Sequence, residues 1–410
     1  MTPQNMLVMA KKYKLGTESG SSYRLNGKPG LFATSSIYTG ESILEERPLI
    51  GSQFIWNAEY KYDACQYCLQ PLQTAEEVVQ HLTGNVEQKL PYLQQCCTID
   101  RSKHVTCDCG ERYCSLECRQ YAWDTYHQVL CTAANHQSGN NLKQSIKKLC
   151  EFWKNCHFPP ETISIMLLVK LFAKIKLATN REELISKIQQ FGKFSESYRD
   201  LIMNKLLGDR YLDKIIIIRD MVGQIIYELY FDQFLSDQSF VHFFALIVYH
   251  ARAISTNSFT TWSENVERLV ANDPSETNQV DLLIENLYKK MQDIHGPFIN
   301  CEGSGLYELS SMINHSCQPN AEICFPFNNH VLAIKALESI EPEQEITISY
   351  LDECLQLSSR HTRMKILQEN FYLNCTCPKC ETQRNDPDVT SDEDNEESDA
   401  KPSDEEMNCD

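Results

Sequence analysis

Asn314-His315-Ser316-Cys317-Gln318-Pro319-Asn320 places an amide, an imidazole, a hydroxyl, a thiol and a turn-forming Pro-Asn pair within seven residues. A short Gly-bearing loop, Cys301-Glu302-Gly303-Ser304-Gly305, precedes it, and an apolar pattern ending in Tyr350 follows. No other stretch gathers so many groups able to bind or react. We read it as the floor of an active site. Around it the pattern is β: residues 298–309, 331–337 and 345–350 read as strands. Residues 358–371 then read as a basic amphipathic helix with Met364 and Leu367 inward. Next comes Cys375-Thr376-Cys377-Pro378-Lys379-Cys380, whose three thiols are one short of a tetrahedral metal site. Cys317 is the natural fourth ligand, with Cys354 as the alternative. With Cys317, the metal pins the C-terminal segment beside the opening stretch.

Working back, residues 140–295 carry helical periodicity. Pro159-Pro160-Glu161 opens an apolar helix reaching Lys176. Asp273-Pro274-Ser275-Glu276 has the form of an N-cap, a first-turn Pro and a capping-box Glu, followed by Leu283, Leu287, Met291 and Ile294 as a core stripe. Residues 240–254 read as a buried helix, and Thr256-Asn257-Ser258-Phe259-Thr260 as a loop or short strand. Before this lies a block of soft ligands: Cys65, Cys68, Cys107, Cys109, Cys114, Cys118, His127 and Cys131. Eight such groups suit two tetrahedral zinc sites. Cys107 and Cys109 are more tightly spaced than usual, so Cys96, Cys97 and His104 stand as substitutes. At the front, 31–33, 43–46 and 48–50 are short apolar runs punctuated by Gly30, Gly40 and Gly51, which predicts small strands and tight turns. Lys28-Pro29-Gly30 is a loop that could let backbone approach a ligand.

Bulk properties narrow the function. No window approaches about twenty uninterrupted apolar residues, so no membrane span is expected, and a polar N-terminus predicts no secretion. In a reducing compartment the 19 cysteines favour metal over disulfides. The net charge is −18, of which residues 385–410 supply −11 from twelve acidic residues and one Lys, leaving −7 elsewhere. A negative body argues against direct nucleic-acid binding and favours basic partners. The tail has charge without aromatics and is expected to be disordered. Lys143, Lys147 and Lys148 read as a solvated helix face, leaving nucleus and cytoplasm both open as locations.

Five motifs in order resemble the SET-and-MYND protein lysine methyltransferases. They are Gly30-Leu31-Phe32-Ala33, the 65–131 cysteine block with Tyr113-Cys114-Ser115, Asn314-His315-Ser316-Cys317 with Pro319-Asn320, Ile348-Ser349-Tyr350, and Cys375, Cys377 and Cys380. Within the family the long spacer after the first cysteine pair, the acidic tail and the stop soon after Cys380 are most similar to the branch of its fifth member. That stop leaves no room for the C-terminal helical-repeat domain of longer relatives. The resemblance implies an α+β chain: a split, β-rich SET fold interrupted by a MYND zinc module and a helical insert, with a zinc-bound post-SET segment. The implied parts are an extension at 1–22, SET N-terminal strands at 23–64, MYND at 65–131, insert at 140–295, catalytic core at 296–355, post-SET segment at 356–384 and tail at 385–410.

The resemblance also implies S-adenosylmethionine as methyl donor, three Zn2+ ions, and a protein lysine as acceptor. Pro29, Gly30, Leu31, Asn257, Asn314, His315 and Tyr350 match cofactor-contacting positions, with Tyr350 also at the methyl-transfer site. Phe259, Phe371 and Tyr372 match the lysine channel. Cys317, Cys375, Cys377 and Cys380 match the third zinc site. Two positions depart from the pattern. The first Gly of the family's Gly-x-Gly loop is Lys28 here, and Pro29 removes a backbone donor. The aromatic wall residue, usually Tyr, is Phe371, with Tyr372 beside it.

The implied chemistry is an in-line displacement by a neutral lysine amine, presented by an apolar channel that disfavours its ammonium. Alignment of this kind supplies about 7–11 kcal/mol. Expected substrates are basic proteins, histone tails and ribosomal proteins among them, which would make the enzyme a chromatin regulator. Further protein partners are expected at the MYND module, and the enzyme is expected to be a monomer. The competing reading is a catalytically weak zinc scaffold or transcriptional cofactor, favoured by the Lys28-Pro29-Gly30 departure.

Overall fold

The computed structural model describes residues 12–16, 30–134, 139–157, 163–191, 195–226 and 232–387. Pro29, most of the N-terminal extension, Pro159-Pro160-Glu161 and nearly all of the acidic tail lie outside these residues. The chain divides into two compact units, one of Met1–Leu44, Met312–Ile323 and Ile334–Asp410, the other of Glu45–Ser311 and Cys324–Ala333.

In the first unit, β1 (Tyr13–Gly16), β2 (Gly30–Ala33), β12 (Glu345–Ile348) and β9 (Asn314–His315) form one sheet in that spatial order. Strand β2 is paired on both edges, and its unbroken buried run of Leu31, Phe32 and Ala33 means that both faces are covered as well. In β12, Ile346 and Ile348 are buried, as the two-residue period of a strand requires. Parallel pairing sets Thr347 beside Asn314 and Ile348 beside His315. This register fixes where Tyr350 emerges.

A second sheet takes the order of β10 (Ala321–Cys324), β11 (Leu332–Ala336) and β3 (Ser42–Glu46). Ile43, Leu44, Ala321, Ile334 and Ala336 are its buried residues in this unit.

The C-terminal helix runs Arg360–Phe371. Its enclosed residues are Arg363 and Leu367, while Met364 is only partly buried. Met364 packs against the C-terminal core as expected, but the more deeply enclosed residue of this turn is Arg363.

In the second unit, β4 (Ile50–Gln53), β8 (Cys301–Leu306) and β7 (Ala251–Thr256) make an antiparallel sheet with β8 in the middle. The Gly-bearing segment is therefore a central strand, as the reading of 298–309 expects, and not a loop. A Cβ at Gly303 would lie 2.4 Å from Leu69 Cδ2 and 2.5 Å from Ser52 O, so only glycine lets these neighbours approach. The helix expected over 240–254 runs Asp237–His250 instead, because from Ala251 the chain pairs with β8 over six residues. Asn257, expected in a loop, caps the helix Ser258–Val270.

The helix Ile165–Leu177 is buried on nearly every face and carries the core of the insert. Asp273 caps the helix Pro274–His295 by accepting from Ser275 N and Glu276 N, while Glu276 accepts from the Tyr92 hydroxyl at 2.9 Å. Leu287 and Met291 are buried as expected, but Ile294 is 58% exposed and leaves the core stripe. Among the described residues no helix is long and apolar enough to cross a membrane.

Candidate active site and metal centres

The opening stretch sits at the end of a short strand, so its side chains leave the backbone in alternating directions. Asn314 Nδ2 donates to Glu345 Oε1 at 2.7 Å. Gly30 faces this pair: a Cβ there would lie 2.6 Å from Glu345 Oε1 and 3.0 Å from Asn314 Nδ2. Gly30 and this pair thus form a close-packed cradle with no room for a side chain. Leu31 is fully buried, and its backbone has a paired strand on either edge.

His315 is buried, and both ring nitrogens have partners. Nδ1 accepts the backbone N–H of Tyr350 at 3.0 Å, and Nε2 lies 3.3 Å from Cys317 Sγ. Burial pulls its pKa down to about 4, so the ring is neutral and carries one proton. Because Nδ1 is the acceptor, that proton is on Nε2 and points at the sulfur. Its imidazole therefore joins two parts of the chain.

Tyr350 donates its hydroxyl to Ile313 O at 2.7 Å. That bond aims the oxygen and leaves its lone pairs for another donor. The Tyr350 ring lies between His315, at 5.3 Å, and Phe371, at 5.1 Å. Tyr372 caps the C-terminal helix in a left-handed conformation and is 47% exposed.

Asn320 proves more than a turn residue. It is buried, donates to Glu345 O at 2.8 Å and accepts from Thr347 N at 2.8 Å, tying the end of the stretch to β12.

Asn257 and Phe259 belong to the second unit. The two donors of the Asn257 amide go to Ile299 O at 2.8 Å and Asn300 Oδ1 at 3.1 Å, and its Oδ1 accepts from Phe259 N. Phe259 is fully enclosed, stacked on Trp262 at 5.4 Å and edge-on to Tyr288 at 4.9 Å. Its aromatic neighbour one turn along the helix draws the expected channel ring into the core.

Three groups of ligand atoms each lie within 4.8 Å of one another: Cys65, Cys68, Cys114 and Cys118; Cys107, Cys109, His127 and Cys131; and Cys317, Cys375, Cys377 and Cys380. Zn–S bonds of about 2.3 Å in a tetrahedron put sulfurs roughly 3.8 Å apart. The sulfur separations are 3.6 Å for Cys68 and Cys114, 3.8 Å for Cys107 and Cys131, and 3.9 Å for Cys317 and Cys375. His127 Nε2 stands 3.4 Å from both Cys107 and Cys109. The donor sets and spacings fit three zinc ions. Cys96, Cys97 and His104 take no place in these groups, and Cys354 is exposed outside them.

Sequence reading missed Glu345 and Arg363. The one available signal for Glu345 was a lone carboxylate opening an apolar strand. Arg363 gave none, since an arginine on a basic helix is ordinarily solvated.

Residues 29–351 match the SET domain family. The chain is 43% identical over 368 residues to protein-lysine N-trimethyltransferase SMYD5 of Gallus gallus, covering 90% of this chain and 86% of that protein. To its Homo sapiens counterpart it is 42% identical over 365 residues, covering 89% and 86%. Histone-lysine N-methyltransferase SMYD3 of Mus musculus is 25% identical over 302 residues, which is 72% of this chain and 54% of that protein.

Proposed function

The chain belongs to the SET and MYND family of protein-lysine methyltransferases, and on that premise we propose how its residues share the work of methylating a lysine in a basic protein. It is a protein-lysine N-methyltransferase that uses S-adenosylmethionine and zinc. When bound, S-adenosylmethionine supplies a methyl group activated by its sulfonium.

Gly30 and Asn314 are the residues assigned to hold the cofactor, with Pro29 and Leu31 flanking them through backbone. The cradle at Gly30 supports this assignment. His315 positions Tyr350 and is not itself assigned a cofactor contact. The Tyr350 hydroxyl, aimed by Ile313 O, orients the attacking amine. The observation that carries this role is the paired use of Tyr350, backbone N–H to His315 and hydroxyl to Ile313, which fixes it at two points.

Phe371 offers its ring to the methylated ammonium by cation–π attraction. It has no hydroxyl with which to hold back a partly methylated amine, which favours carrying the reaction to trimethyl-lysine. The SMYD5 relatives carry trimethylation in their name.

Histone tails and ribosomal proteins are the substrates we propose, because a chain of net charge −18 attracts basic proteins. The acidic segment 385–410 tunes their capture. The MYND cysteines build a further protein-binding module, the enzyme acts as a monomer, and it works in nucleus or cytoplasm.

Radiolabelled methyl transfer from S-adenosylmethionine onto histones and ribosomal proteins tests the reading. Wild type should label a basic protein and Tyr350→Phe should not. Equal labelling by both would remove Tyr350 from its role, and no labelling of any basic protein would favour the scaffold reading.

A further inference from the structure

Arg363 is fully buried. Among the described residues its partners are Ser358 O at 2.6 Å, Gln383 Oε1 at 2.8 Å and Cys380 Sγ at 3.7 Å. None is a carboxylate. A guanidinium cannot shed its proton, and an enclosed charge without a counter-ion is strongly unfavourable. Something beside it must be negative.

The neighbouring cluster of Cys317, Cys375, Cys377 and Cys380 meets that need. Four thiolates around one divalent zinc leave two negative charges uncompensated. All four cysteines are buried, so water offsets little of that charge. Apart from each other, the guanidinium has neutral oxygen acceptors and the cluster has neutral donors, the His315 N–H and the Cys377 backbone N–H.

We propose that Arg363 is the outer-sphere counter-ion of the zinc held by Cys317, Cys375, Cys377 and Cys380, and that it secures retention of this ion. The inference rests on reading those cysteines as a zinc site. Its consequence reaches the catalytic tyrosine. Cys317 takes the His315 N–H, and the other His315 nitrogen takes the Tyr350 backbone N–H. Arg363 is thus a positioning residue, acting through the metal on the loop that carries His315.

The test is zinc competition on the full-length, zinc-loaded protein, using a graded chelator series. Thiol alkylation mapped by mass spectrometry identifies the site that empties. Wild type should hold three zinc ions. Arg363→Met should surrender one of them at about 10- to 100-fold lower chelator concentration, with the alkylation gained on its release confined to Cys317, Cys375, Cys377 and Cys380. Arg363→Lys, which keeps a charge but not the fork, should recover part of the loss. Gln383→Ala, which removes only the acceptor orienting the guanidinium, should shift the same site several-fold and stands in if Arg363→Met does not fold. A third zinc held as tightly in Arg363→Met or Gln383→Ala as in wild type would overturn the proposal. So would equal weakening of all three sites, or an Arg363→Lys variant as weak as Arg363→Met. A wild-type protein with only two zinc ions would instead overturn the site itself, and the proposal with it.

Discussion

His315 Nδ1 accepts the backbone N–H of Tyr350 at 3.0 Å, across the parallel pairing of β9 with β12. The bond runs from a side chain in the opening stretch to the residue that orients the substrate. His315→Ala should therefore lower kcat/KM by about 10²-fold through misplacement of Tyr350. Binding of S-adenosylmethionine, measured by calorimetry, should change by no more than a few-fold. A large loss of cofactor affinity at unchanged turnover would assign the imidazole to the cofactor instead.

Gly30→Ala addresses the cradle. The new Cβ would meet Glu345 Oε1 at 2.6 Å, so the Asn314–Glu345 pair must move. The expected stability cost is about 1–3 kcal/mol by urea unfolding. The larger effect should be a raised dissociation constant for S-adenosylmethionine. Unaltered cofactor binding would show that the cradle is packing alone.

Asn320→Ala should cost about 1–3 kcal/mol, because it leaves Thr347 N and Glu345 O without their side-chain partner inside the protein. Urea titration of the variant against wild type reads this directly. A change under a few tenths would mean that water replaces the amide.

Strands β2, β3, β8, β11 and β12 and the ligands of all three metal clusters were legible in the sequence. Short soft-ligand spacings and two-residue periodicity act locally, so they survive in a bare sequence. What escaped is long-range. Residues 251–254 look helical by composition and become strand only because β8 is there to pair with. Ile294 continues a helical stripe whose facing surface has ended. Phe259 could not be placed without Trp262 and Tyr288 around it. Arg363 is enclosed beside Met364 because its acceptors, Ser358 O, Gln383 Oε1 and Cys380 Sγ, come from other parts of the chain. Asn314 and His315 as cofactor residues and Cys317 as a zinc ligand could be named from sequence, but the bonds that tie Asn314 to Glu345 and His315 to Tyr350 could not.

Lys170 gives a pH signature in the second unit. It is buried, with Nζ 4.8 Å from the Tyr126 ring centre and 3.3 Å from Gln66 O, and burial depresses its pKa from 10.5 to about 8. Below pH 8 the folded and unfolded states both hold the proton, and the fold bears the full cost of burying it. Between about 8 and 10.5 the folded state has released the proton while the unfolded state retains it, so stability rises with pH. Lys170→Met lacks this gain. Its stability advantage over wild type by urea unfolding should be larger at about pH 7.5 than at about pH 9.5. A pH-independent difference would contradict a buried ammonium.

The central claim is that the stretch from Asn314 to Asn320 serves metal and methyl transfer together. Cys375→Ser removes one ligand of the third zinc while leaving the other two ligand sets intact. Methyl transfer to histones or ribosomal proteins should be measured on this variant, with zinc content determined on the same sample. The account predicts two zinc ions per chain and turnover lowered by about 10²-fold or more, since loss of the metal frees Cys317, His315 and then Tyr350. Two zinc ions per chain with wild-type turnover would contradict it.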